Sequence, residues 1–459
     1  MGNRRRLFVA SCAALVASAM VFSVCTDIMG DFERAFSLTK AEAGQAVSWG
    51  AIGGTIVLFV GGALLDLVGM ARVFWLALTA HVVGLGMVIF AQGFWSLAVG
   101  WLFLAVSGGL THAVINPLAA TLYPEKKTQV FTMLHAWWPG GLVLGGLIVY
   151  GLGAAFGLES MPEAIRNHGW QIKMTVPLVP TALCGLLILG QRFPQTERVK
   201  AGVSMGAMFR EALRPMFLLL VFCMLLTASV ELGPNRWVGV FIKDIVGIRG
   251  VLMLVYTSGL MFLVRIFGGP VASKIPSLGM LIGSSVLSGL GLLWLSYATG
   301  AVTLFMAATL FGIGVCYFWP TMLAATAERF PKGGAFLLAV QGAAAGLFVA
   351  YVTVPGMGRT HDKYTLKALP PAVASLVVVD GRIEQARVDA LASEADKTAV
   401  QQARRTASGT TFRYVAAMAG VLTAIFTVMF LWGREAARAA QSRDAAVAPP
   451  PRTRETASG

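Results

Sequence analysis

Over most of its length between residues 7 and 432 the chain runs through stretches of about twenty apolar residues, most of them separated by short polar turns. Inside a bilayer no water is available to pair with backbone N–H and C=O groups. A crossing segment must satisfy them itself, and a helix does so. Twelve membrane helices, α1 to α12, are expected at 7–28, 43–65, 71–92, 95–122, 129–157, 172–191, 215–242, 250–272, 278–299, 301–325, 335–357 and 412–432. Hydrophobic residues make up 56% of the chain and charged residues 13%, with a mean hydropathy of +0.72, which no soluble domain requires.

The net charge of +14 does not point to nucleic acid, because the basic residues sit in short loops and tails between apolar runs. With both termini cytoplasmic, fifteen Lys and Arg fall in the N-terminus and short inner loops and seven in short outer loops, which favours that orientation in the cell membrane. Arg4, Arg5 and Arg6 before the first run resemble a signal-peptide start, but the run is longer than an h-region and no clear small-residue cleavage site precedes Asp27. The expected organisation is an N-terminal six-helix bundle at 1–191, a basic linker at 192–214 and a C-terminal bundle at 215–433. The second bundle carries a long outer loop at 358–411 with a helix-like piece at 380–405, and the polar tail 434–459 is expected to be disordered. Cys12, Cys25, Cys184, Cys223 and Cys316 lie in apolar segments without ligand spacing, so neither disulfides nor a metal site is expected, and no cofactor.

The halves are related by a repeat. Gly109, Pro117 and Glu125 recur as Gly312, Pro320 and Glu328, each 203 residues later. Two similar membrane halves are the logic of a secondary transporter. Between α2 and α3 the chain reads Gly62-Ala-Leu-Leu-Asp66-Leu-Val-Gly69-Met-Ala-Arg72. This resembles the loop signature of the major facilitator superfamily, with Leu67 and Met70 where that signature has basic residues. The resemblance implies an all-α membrane fold of twelve transmembrane helices in two pseudo-symmetric six-helix bundles. It also implies that Gly62, Asp66, Gly69 and Arg72 form a conformational latch. The second half has a decayed counterpart, Arg265-Ile-Phe-Gly268-Gly269-Pro270, without the acid. Arg265 stands inside an apolar run, where a charge faces protein or a water-filled cavity, as a functional group or a structural ion pair.

Asp27-Ile-Met, Ala35-Phe-Ser-Leu-Thr and Ala43-Gly in the first two helices, with Asn116-Pro117 and Leu122-Tyr-Pro-Glu in α4, resemble the fucose:proton symporter branch of that superfamily. In that branch an Asp of the first helix and a Glu four residues before the Asn-Pro form the proton- and sugar-binding pair. Here the two positions hold Asp27 and His112. Two carboxylates repel and share a proton, whereas Asp and His attract, so coupling would move to His112 or be lost.

Adding the repeat offset to Asp27 lands beside Glu231 in α7, just before Gly233-Pro234 and Asn235. Proline removes a helix hydrogen bond, and α7 is expected to break there, where transporters bind solutes. Glu231 then lines a central site or pairs at the outer boundary. In α5, His135 and Trp138 precede Pro139. An aromatic face beside hydrogen-bonding groups suits a sugar ring, while tryptophan also anchors helices at the interface.

No H-E-x-x-H, G-x-S-x-G or Walker loop occurs, so no enzyme is indicated. The expected function is alternating-access uptake of a small hydrophilic solute, a sugar, by proton symport, with sodium coupling open and a monomer in the lipid bilayer. Asp27, His112, Asn116, His135, Trp138, Glu231, Asn235 and Arg265 are the candidate solute- or proton-binding residues. An exporter of organic anions or drugs on the same fold, and a receptor that binds solute without moving it, are the alternatives.

Overall fold

In the computed structural model, which describes residues 3–155, 169–246, 250–269, 274–379 and 381–447, the apolar runs are helices. The first half contains α1 (Arg4–Ala35), α2 (Lys40–Val68), α3 (Met70–Ile89), α4 (Phe94–Leu122) and α5 (Lys127–Ala155). Its sixth helix, α6, comes in two pieces, Gly169–Thr175 and Leu178–Ile188, interrupted at Pro177. The second half contains α7 (Pro215–Val246), α8 (Gly250–Phe267) and α9 (Ser277–Tyr297). Helix α10 is split into Ala301–Val315 and Phe318–Arg329. Helix α11 runs from Gly334 to Ala368 through a π-helical turn at Val349–Thr353, and α12 spans Glu394–Val447. Among the described residues, ten helices are long and apolar enough to cross a membrane, and the shorter apolar stretches Gly53–Val68 and Val255–Phe267 belong to α2 and α8.

Helix starts follow local chemistry. Asn3 caps α1 by accepting the Arg6 N–H, and Thr39 and Glu42 close a reciprocal capping box on α2. Gly69 turns the chain between α2 and α3 at φ +92°, a conformation costly for any residue with a Cβ. Arg6 donates to the carbonyls of Leu186 and Leu187, so the start of α1 caps the end of α6.

Each half buries its own core. In the first, Leu15, Phe74, Ile115 and Leu134 pack on the side nearer the linker, and Ile28, Phe32, Leu85 and Trp101 on the other. In the second, Phe217, Leu281, Phe311, Phe318 and Phe426 share one core. The halves meet where α2 packs on α11 and where α5 packs on α8 and α10. Ala120 and Phe131 of the first half lie against Leu323, Ala324, Ala327 and Leu338 of the second.

Three expectations are corrected. Helix α7 passes through Gly233 and Pro234 without a break. The interruption lies instead in α10, at Cys316–Tyr317, four residues before Pro320. The polar piece expected at 358–411 is mostly helix: α11 continues to Ala368, short helices Pro371–Val377 and Gln385–Asp389 flank a hairpin of β1 (Val378–Val379) and β2 (Arg382–Ile383), and α12 begins at Glu394. Leu369, Val373, Val377, Val388, Leu391 and Val400 give this piece a small core of its own. The tail expected to be disordered from 434 continues α12 to Val447, as its run of Ala, Glu and Arg favours, and the rest lies outside the described residues.

Candidate functional site

Arg265 of α8 and Glu231 of α7 form an ion pair of 3.1 Å whose side chains are 3% and 5% exposed. A charge pair buried in an apolar bundle persists only when further hydrogen bonds replace lost water. Arg265 supplies them: its Nε donates to the Cys316 carbonyl at 2.6 Å and its Nη1 to the His135 carbonyl at 2.9 Å. The His135 bond reaches across from the second half to α5 of the first.

Around that bond the first half gathers its polar and aromatic candidates. His135 Nε2 lies 3.1 Å from Asn116 Oδ1 on α4. The half-buried His112 ring stacks on His135 at 6.2 Å and stands 6.1 Å from Trp138, while Phe131 stacks on His135 at 6.4 Å. His112, Asn116, His135, Trp138, Glu231 and Arg265 therefore form one connected group at the interface between halves. Rings with amide, imidazole, carboxylate and guanidinium groups at their edges can hold a small polyhydroxylated molecule.

Two candidates stand apart. Asp27 pairs with Lys173 of α6 at 2.6 Å, is 47% exposed, and has no contact with His112 among the described residues. The Asp27 carboxylate is taken up by Lys173, and the expected Asp27–His112 pair is not formed. The side chain of Asn235 lies outside the described residues. Among the described residues no cluster of three or more His, Cys, Asp or Glu is placed to hold a metal ion.

The latch is also rearranged. Gly62 sits so close to α11 that a Cβ there would overlap Ala339. Asp66, 1% exposed, accepts from Thr196 Oγ1 at 2.6 Å and from Arg198 Nε at 2.5 Å, both in the linker, while Arg72 is exposed to solvent. Next to this pair Lys127 donates to Glu197 at 2.8 Å and to the Ala327 carbonyl at 3.0 Å, joining first half, linker and second half. Thr128 donates to Glu328 at 2.8 Å, and Ser277 donates to the other oxygen of the same carboxylate at 2.6 Å. The face that carries the linker is thus bolted shut.

Lys173 and Arg198 were not singled out by the sequence. They had no signal beyond their charge, because their partners lie 146 and 132 residues away.

A family model described as Major Facilitator Superfamily matches residues 6–357. The fold is similar to the Escherichia coli fucose:proton symporter FucP in its outward conformation, with a TM-score of 0.65 at 16% identity over 90% of this chain and 98% of that one. It is equally similar to the proton:xylose symporter XylE, with a TM-score of 0.65 at 12% identity over 94% and 95% of the two chains. In sequence, the chain is 27% identical to myo-inositol transporter 1 of Saccharomyces cerevisiae over 146 residues, which span 32% of this chain and 23% of that protein. The chain is a multi-pass membrane transporter, not an enzyme, and it belongs to the major facilitator superfamily.

Proposed function

We propose that this transporter takes up a small hydrophilic solute, a sugar or cyclic polyol, by alternating access coupled to protons, as a monomer in the cell membrane with the linker face cytoplasmic. The observation that carries the reading is the connected group His112, Asn116, His135, Trp138, Glu231 and Arg265 at the junction of the two halves. A ring's apolar face stacks on Trp138 and His112, and its hydroxyls find donors and acceptors at the edge. The similarity in fold to proton symporters of fucose and xylose, and in sequence to an inositol transporter, supports the same solute class.

Asp27 is the entry point for the proton. It is the half-exposed acid of the two, held by Lys173, whereas Glu231 is buried. Protonation of Asp27 releases Lys173 and removes one charge from the approach to the site. The exposed Arg72 has no place in this reading; Gly62, Asp66 and Gly69 keep their role at the closed face, with Arg198 as the counter-charge. The test is internal pH in energised, right-side-out vesicles on addition of fucose, galactose, glucose, xylose and myo-inositol in turn. Solute-dependent acidification that disappears in Asp27→Asn is the expected result; no acidification with any solute, in vesicles containing folded protein, refutes proton symport.

A further inference from the structure

A proline at position i has no N–H to give the carbonyl at i−4, and its ring pushes against that same carbonyl. In α5 the carbonyl released in this way by Pro139 is that of His135, and in α10 the one released by Pro320 is that of Cys316. These are the two backbone carbonyls that Arg265 engages, through Nη1 at 2.9 Å and Nε at 2.6 Å. A freed carbonyl inside a membrane bundle has to be satisfied by a neighbouring helix or by water. One guanidinium satisfies both, and Glu231 holds it by Nη2 at 3.1 Å. Only arginine carries donors fanned in one plane to reach three acceptors together; lysine has a single nitrogen.

The three acceptors do not belong to one body. Glu231 and Cys316 move with Arg265, as parts of the second half, whereas His135 belongs to the first. Opening the linker face carries α5 away from α8 and α10. Of the three bonds, the one to His135 must then break, while the other two persist.

We infer that Arg265 is a strut between the halves, a positioning residue that holds the linker face closed by binding the His135 carbonyl freed by Pro139, with Glu231 and the Cys316 carbonyl as its seat. Besides standing at the edge of the candidate site, it sets the balance between the two faces of the transport cycle. This rests on alternating access but not on the identity of the solute.

The test is a distance. Spin labels at Glu125→Cys and Lys332→Cys report the separation of the two halves on the linker face, since both residues are exposed there and the five native cysteines are buried. Pro139→Ala restores an N–H that reclaims the His135 carbonyl for α5 and takes it from Arg265. The loss of one charge-assisted bond from the closed state is expected to raise the ratio of open to closed populations roughly tenfold, without solute present. Pro320→Ala frees Arg265 only from a group in its own half, so its distances should match those of the parent. An unchanged distribution in Pro139→Ala, or an equal shift in Pro320→Ala, overturns the inference. If Pro139→Ala is not recovered folded, Arg265→Gln decides it: a rise of similar size supports the strut and a parental distribution overturns it. Failure to find a transported solute leaves this readout untouched.

Discussion

Replacing Arg198 by Ala removes one member of an ion pair in which Asp66 is 1% and Arg198 6% exposed. Breaking a buried pair from one side costs about 3–5 kcal/mol, because the remaining charge is left without compensation. Thr196 still donates to Asp66 at 2.6 Å, which puts the cost near the lower end, about 3 kcal/mol. That cost falls on the conformation with the linker face closed; once the face opens, water reaches Asp66 and the penalty vanishes. A difference of about 3 kcal/mol corresponds to roughly a hundredfold change in the ratio of open to closed forms. The assay is the rate at which a maleimide modifies Ala120→Cys, a position 5% exposed and covered by Leu323, Ala324 and Ala327 of the other half when the face is closed. The rate should rise strongly in Arg198→Ala, remain near the parent in Arg72→Ala, and fall back in the double variant Asp66→Asn/Arg198→Ala, where no charge is stranded. A rate within twofold of the parent in Arg198→Ala, or equal rates in the single and double variants, refutes the reasoning.

Gly62→Val should disfavour the closed linker face by pushing α2 off Ala339, and Ala339→Gly in the same chain should restore part of the parental maleimide rate at position 120. Asp27→Asn should abolish accumulation against a gradient while solute exchange at equal concentrations survives, which counterflow in vesicles measures. At the start of α2 the Thr39 N–H and hydroxyl hold the Glu42 carboxyl below its ordinary value of 4.5. The capping box is therefore fully effective above about pH 4.5 and is lost as pH falls through the lower folded value, so hydrogen exchange at the first turn of α2 should accelerate there; Glu42→Ala should show fast exchange at every pH.

The twelve helices were legible because lipid leaves the backbone so few options. Apolar length alone located them, and their ends moved where polar sequence has a second use. The stretch after Gly433 is polar enough to read as tail, yet its Ala, Glu and Arg residues are strong helix formers and prolong α12 to Val447. Proline was the less readable signal. Pro139 and Pro234 sit within continuous helices, while Pro320 follows an interruption. Each removes the same hydrogen bond, so the outcome depends on what neighbouring helices offer in its place, which local sequence does not contain. The candidate site divides in the same way. Arg265 is conspicuous as a charge in an apolar run, and Glu231 follows from the repeat, but the partners of Asp27 and Asp66 are single basic residues far along the chain.

The two ion pairs differ in a way that orders the cycle. With the linker face closed, Asp27 and Lys173 are within reach of water while Glu231 and Arg265 are not. On the proposed reading, a proton or solute arriving from the opposite face meets the Asp27 pair first. The buried pair is tied to both halves, through His135 on one side and Cys316 on the other. On the proposed reading, a solute seated between His112, Trp138 and the edge of His135 presses on the helix whose carbonyl Arg265 holds. Occupancy and closure would then be linked through one residue, His135, whose ring stacks on His112 and whose carbonyl accepts from Arg265. Substitutions of its side chain should consequently alter solute affinity, whereas substitutions at Pro139 act through its carbonyl and should alter the balance of the two faces with the solute absent.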